Sequence, residues 1–158
     1  MKAKQSAVAL IAIGGLALTG AASGDDWRGD GVARAAGGQT ASTHEIKLKL
    51  KRSPYGKVLF ANGFALYLFT ADGGSGSVCN GECAEAWPPL KAGMVVAGTG
   101  VRSQLLGKTT RDDGSAQLTY AGKPLYFYVH DPRGEVYCND VFEFGGDWFA
   151  VKRSGKPA

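Results

Sequence analysis

The sequence predicts an all-β, single-domain protein made of two pseudo-repeated β-hairpin units, packed as a small sheet, sandwich or barrel. Three observations lead there. The chain repeats itself at a constant offset of 59 residues over a 22-residue window. Each copy reads as two apolar runs around a turn, the pattern of a hairpin. The 24 glycines among 158 residues signal many turns, which short strands need and long helices do not. A composition of 44% hydrophobic and 20% charged residues is ordinary for one globular domain of this length.

The repeat aligns LFANGFALYLFTADGGSGSVCN, residues 59–80, with LTYAGKPLYFYVHDPRGEVYCN, residues 118–139, without a gap. Seven of the 22 pairs are identical: Leu59/Leu118, Gly63/Gly122, Leu66/Leu125, Tyr67/Tyr126, Asp72/Asp131, Cys79/Cys138 and Asn80/Asn139. Trp87 and Trp148, 61 residues apart, are a further candidate pair two positions out of register. The repeats are expected over about 56–90 and about 115–152, inside a β domain of residues 44–152 that leaves a C-terminal tail at 153–158.

Taken in order, the chain opens with Lys2 and Lys4, an apolar run AVALIAIGGLALTG, and the small residues Gly20, Ala21 and Ala22. This is the layout of a secretory signal peptide over residues 1–22. The run is shorter than the ~20 residues of a spanning helix, so no integral membrane span is expected after cleavage. Loss of the two lysines lowers the formal charge from +4 to +2, too little to argue for nucleic acid. Residues 23–43, rich in Gly, Ala, Ser and Thr, read as a flexible linker. The Arg28-Gly29-Asp30 triplet within it is three common residues meeting.

Lys47, Lys49 and Lys51 alternate with Ile46, Leu48 and Leu50, which predicts a strand with one wet face, solvated or at a lysine-protected edge. An anionic surface is the alternative partner for that face. KVLF-ANG-FALYLFT and QLTY-AGK-PLYFYV then read as hairpins, Gly63 and Gly122 supplying the positive φ of a tight turn. By period two, Tyr67 and Phe69 lie on one face of their strand, as do Tyr126 and Tyr128 in the second copy, while Leu66 and Leu68, or Leu125 and Phe127, lie on the other. Apolar residues on both faces predict central strands. Asp72 and Asp131 fall just past the strand ends, where a carboxylate caps turns by accepting backbone N–H bonds. Calcium takes about six to eight oxygens, which no Asp-rich loop here supplies. ECAEAW suggests a short helical turn near 82–87, stopped by Pro88.

LYLFTAD and LYFYVHD resemble the Tyr-x-aromatic-x-x-Asp motif, and CNGECAEAWPPL resembles the Cys-x-Gly-x-Cys-Ala-x-x-Trp-Pro-Pro-Leu motif, of the bacterial secreted-repeat family of predicted lipoproteins. The resemblance covers about residues 56–152 and takes in Tyr67, Phe69, Asp72, Trp87, Pro88, Pro89, Tyr126, Tyr128, Asp131 and Trp148. It implies an exported protein and names no activity. Two features depart from the family: no lipid-attachment cysteine follows the apolar run, and Cys138 lies outside the motif.

Export to an oxidising compartment, periplasmic or secreted, favours a disulfide among the three cysteines. Gly81 permits the bend that would bridge Cys79 and Cys83; Cys79–Cys138 is the rival, since equivalent positions in two packed copies could meet. Either pairing leaves one thiol, available for an intermolecular bond. Cys79, Cys83, Cys138 and His130 also total the four ligands that zinc, copper(I) or iron would accept, although Cys-x3-Cys without a second close pair is weak metal spacing. No Cys-x-x-Cys-His occurs for haem, and the cysteine spacing is one residue too long for a thiol-exchange motif. His44 and His130 give no separated base and orienter for a serine, and nucleophile-elbow, zincin and phosphate-loop patterns are absent. No cofactor is expected. The function classes left are a non-enzymatic envelope module binding a protein or small ligand, a metal-handling or electron-transfer partner, and an enzyme of unselected reaction.

Overall fold

A computed structural model of the chain describes residues 45–74 and 76–158. The signal segment, the linker and His44 lie outside the described residues.

Asn62 and Gly63 take φ 50° and 95°, so strand β2 (Gly56–Ala61) returns directly into β3 (Phe64–Ala65), with Ala61 paired to Phe64. Ala121 and Gly122 do the same at φ 52° and 76° between β7 (Ala116–Tyr120) and β8 (Lys123–Pro124). Two consecutive positive φ values make the two-residue turn whose twist suits a hairpin. Asparagine tolerates that conformation; Ala121 adopts it at a steric cost.

Each hairpin is preceded by a further antiparallel partner. β1 (Glu45–Ser53) pairs with β2, and β6 (Leu106–Thr110), entered from a 3₁₀ turn at Ser103–Leu105, pairs with β7. Parallel pairing with β5 (Met94–Ala97) completes a sheet of order β3-β2-β1-β5. β1 pairs with β5 over Glu45–Leu48 and with β2 over Leu48–Ser53, so the two ladders overlap at Leu48 and the β5 side is open from Lys49 onward. Ile46 and Leu48 are buried on one face while Lys47, Lys49 and Lys51 are exposed on the other. β6-β7-β8 form the second sheet. The third, β4-β10-β9, joins β4 (Tyr67–Phe69) to the hairpin of β9 (Val141–Glu143) and β10 (Gly146–Ala150). The helical turn is α1, Glu82–Ala86.

The copies complete one another. The N–H of Leu59 bonds the carbonyl of Val151, whose own N–H bonds the carbonyl of Leu66. In the second copy Leu118 N–H bonds Leu90 O, and Leu90 N–H bonds Leu125 O. Thus the segment after Trp148 fills the first hairpin and the segment after Trp87 fills the second, an exchange that satisfies backbone groups neither copy could satisfy alone. The 61-residue spacing of Trp87 and Trp148 extends to Leu90 and Val151. Residues beyond 152 fold back: Val151 bridges Pro157, and Ala158 N–H bonds Ala150 O at 2.9 Å.

The alternation read from sequence divides the core in two. Tyr67, Phe69, Tyr126, Trp87 and Trp148 belong to an aromatic cluster with both disulfide cysteines. Leu66, Leu68 and Leu125 belong to an aliphatic cluster with Ile46, Leu59 and Leu118. The central strands are buried on both faces because each face meets one cluster.

Candidate functional site

The motif tyrosines lie where the copies meet. Tyr67 N–H bonds Tyr126 O at 2.9 Å and Tyr126 N–H bonds Tyr67 O at 3.0 Å, an antiparallel bridge at the centre of the pseudo-twofold arrangement. Both phenols enter the aromatic cluster, and each reaches the other copy's acid. Tyr67 Oη donates to Asp131 Oδ2 at 2.6 Å, and Tyr126 Oη donates to Asp72 Oδ2 at 2.8 Å. Each aspartate's second oxygen caps its own turn, Asp72 Oδ1 accepting from Val78 N–H at 2.9 Å and Asp131 Oδ1 from Tyr137 N–H at 3.1 Å. The capping role expected for both acids is present, with a cross-copy tyrosine added to it.

All four side chains are sequestered: the tyrosines are fully buried, and Asp72 and Asp131 are 5% and 6% exposed. Burial pushes both carboxyl groups above the ordinary carboxylate range, against the lowering pull of their hydrogen bonds. Burial, reinforced by the neighbouring carboxylate, also raises both phenols, so the shared proton stays on tyrosine. The two acids differ in one respect. Arg111 and Lys123 lower the pKa of Asp72, whereas no cation acts on Asp131 in that way.

Arg111 carries no signal in the sequence. It is 6% exposed, and its guanidinium donates to Ser77 Oγ (2.6 Å), Gln117 Oε1 (2.8 Å), Cys79 O (2.6 Å) and Asn80 Oδ1 (2.9 Å). Five donors in a planar fork suit four converging acceptors. Nothing local in ThrThrArgAspAsp announces this, because the acceptors come largely from the other copy.

Beside the clasp runs a column of four rings. Trp87 and Trp148 stack at 4.0 Å and 7°, Phe69 stacks on the outer side of Trp148 at 4.1 Å, and Tyr128 tilts over Trp87 at 4.5 Å. Phe69 and Tyr128 are equivalent positions, so the column itself has the twofold character. Tyr67 meets Trp87 edge-on at 5.2 Å and Tyr126 meets Trp148 edge-on at 5.1 Å. Both indole N–H groups end at Glu143, Trp87 on Oε2 (2.9 Å) and Trp148 on the backbone carbonyl (3.2 Å). Pro88 and Pro89 follow Trp87; Pro88 O accepts from Phe127 N–H, and Pro89 bridges Tyr126.

The disulfide joins Cys79 and Cys83 with Cα atoms 5.2 Å apart. Gly81, at φ 54°, makes the bend. The rival Cys79–Cys138 pairing is not formed; Cys138 is a partly buried free thiol, its pKa pushed up by burial. Of the four-ligand metal set Cys79, Cys83, Cys138 and His130, the sulfurs of Cys79 and Cys83 are bonded to each other here. His130 is exposed, its ring 5.4 Å from that of Tyr128. Among the described residues no group of three or more His, Cys, Asp or Glu side chains is arranged to hold a metal ion.

A duplicated β module, stapled by one disulfide and clasped by exchanged tyrosine–aspartate pairs, is the class of protein this fold and site define. The chain belongs to the family described as a secreted repeat of unknown function, whose profile matches residues 49–91 and 107–152. The matched spans start within the strands that precede the hairpins, at residue 49 in β1 and residue 107 in β6. No curated protein and no solved structure matches the chain. Among the described residues no helix is long and apolar enough to cross a membrane.

Proposed function

We propose that the protein is a non-enzymatic module of the cell envelope, periplasmic in location, in which the family motif builds the scaffold and the surface binds an envelope protein or a small ligand. One observation carries this reading: the motif's acid–base groups are consumed internally. Tyr67, Tyr126, Asp72 and Asp131 bond to one another and to backbone N–H groups, and no buried side-chain nitrogen or oxygen among the described residues lacks a partner. A general acid or base must reach its substrate, and these groups face inward.

Carbodiimide labelling of the native protein with a small amine, mapped by mass spectrometry, tests the reading. Asp112, Asp113 and Glu135 are exposed and should label, while Asp72 and Asp131 should not until the protein unfolds. Native labelling of Asp72 or Asp131 at the rate of the exposed acids would overturn it. Recovery in osmotic-shock fluid tests the periplasmic location. The metal-handling alternative retains only Cys138 and His130 in the oxidised protein, and elemental analysis for copper, zinc and iron tests it directly. Cys138 is also the thiol for an intermolecular bond, which a non-reducing gel reads out.

A further inference from the structure

Three adjoining surface depressions share Arg133 as a wall. The first, of about 770 Å³, is lined by Lys47, Lys49, Asn62 and Gly63 together with one acid, Glu45, and a smaller one extends it to Lys51. On the other side of Arg133 lies a depression of about 460 Å³ with Ile46, Phe64, Pro89, Leu90 and Phe127 in its walls and Lys91 beside them. That volume is in the range of small-molecule sites, about 300–1,000 Å³. Half of the groove is cationic and half is apolar.

Arg133 is held in place between the halves. Gly134 N–H bonds Gly63 O at 2.8 Å, tying its loop to the first hairpin turn, and its guanidinium lies 5.2 Å over the Phe64 ring. A Cβ at residue 63 would come within 2.8 Å of Arg133 Nη2, so glycine there also makes room for the arginine, whereas a Cβ at the equivalent Gly122 would meet nothing within 4 Å. Among the described residues the one ion pair is Lys47 with Glu45, and no carboxylate of those residues lies within 4.0 Å of Lys49, Lys91 or Arg133. A guanidinium fixed against an aromatic face, unpaired, and bordering an apolar trough is suited to a bidentate carboxylate that carries an apolar body.

We propose that this groove binds a small amphiphilic carboxylate, its chain against Phe64, Leu90 and Phe127 and its carboxylate on Arg133. Lys49 and Lys91 add positive potential on either side. The proposal names the ligand class for the binding surface put forward above and rests on that reading. Its failure would leave the carbodiimide result untouched, so the two are separable.

Isothermal titration of the full chain with decanoate, below its micelle concentration, is the test. Acetate supplies the carboxylate without the chain, and decyltrimethylammonium the chain with the opposite charge. Decanoate is expected to bind at one site, with both controls at least about tenfold weaker, and Arg133→Gln should weaken decanoate by about tenfold or more, as for loss of a charge-assisted bond. Arg133 is exposed, and unchanged near-ultraviolet circular dichroism would show the variant folded. Equal binding of decyltrimethylammonium, equal binding by Arg133→Gln, or no decanoate heat would overturn the proposal. So would sedimentation with phosphatidylglycerol vesicles that depends on Lys47, Lys49 and Lys51 while decanoate fails to bind, since that pattern assigns the face to a membrane.

Discussion

Replacing Tyr67 by Phe removes one oxygen from a fully buried site and leaves every apolar contact of the ring in place. The lost group donates at 2.6 Å to Asp131 Oδ2, and the acid, 6% exposed, keeps only the 3.1 Å bond from Tyr137 N–H. A hydrogen bond to a charged group contributes about 1.5–3 kcal/mol, and stranding its buried partner puts the cost at the upper part of that span. For a domain of this size the melting temperature should fall on the order of 10 °C. Tyr126→Phe removes the matching donor to Asp72 and also the 2.7 Å bond between Tyr126 Oη and Ser77 Oγ; Asp72 retains the favourable field of Arg111 and Lys123, so the share of the cost that comes from the stranded acid should be smaller than for Asp131. Urea denaturation followed by tryptophan fluorescence at pH 7 measures both. Because the penalty lies in an unpaired carboxylate, the Tyr67→Phe cost should shrink in acid, where Asp131 is protonated. A Tyr67→Phe protein within about 0.5 kcal/mol of wild type, the range of ordinary surface changes, would refute the clasp.

Three further outcomes follow from the same contacts. Asp72 and Asp131 have folded pKa values raised from 3.8, so the folded state binds their protons more tightly; stability from these groups is full below 3.8 and is lost as pH rises through their elevated values, and wild-type melting temperatures should increase from pH 7 toward pH 4. Cys83→Ser opens a ring of four-residue separation in the aromatic core and should cost about 2 kcal/mol from chain entropy, measured by denaturation under non-reducing conditions. Ala121→Gly relieves an alanine at φ 52° and should raise stability by about 1 kcal/mol, with Gly63→Ala at φ 95° moving the other way.

The parts legible in the sequence are those set by near neighbours. Asn62-Gly63 and Ala121-Gly122 mark their turns because positive φ is a local requirement, and the split of Tyr67 and Phe69 from Leu66 and Leu68 follows from strand alternation alone. The Cys79–Cys83 bridge is legible because four residues and a glycine suffice to close it. The buried Arg111, by contrast, stands in a polar stretch that reads as solvated loop; its acceptors on Ser77, Cys79 and Asn80 are more than thirty positions away. The grooves around Arg133 were invisible for the same reason, since Lys49, Phe64, Leu90 and Arg133 share no local pattern.

By itself the sequence determined that two β units descend from one pattern, which faces of their strands are apolar, and where they turn, because period and turn chemistry are properties of a few consecutive residues. Only the tertiary structure decided that each unit borrows the other's acid and the other's closing segment. Asp72 and Asp131 could each have capped a turn unaided; it is the antiparallel meeting of Tyr67 and Tyr126 that carries each phenol across to the opposite copy, and burial there that makes the exchange matter to stability.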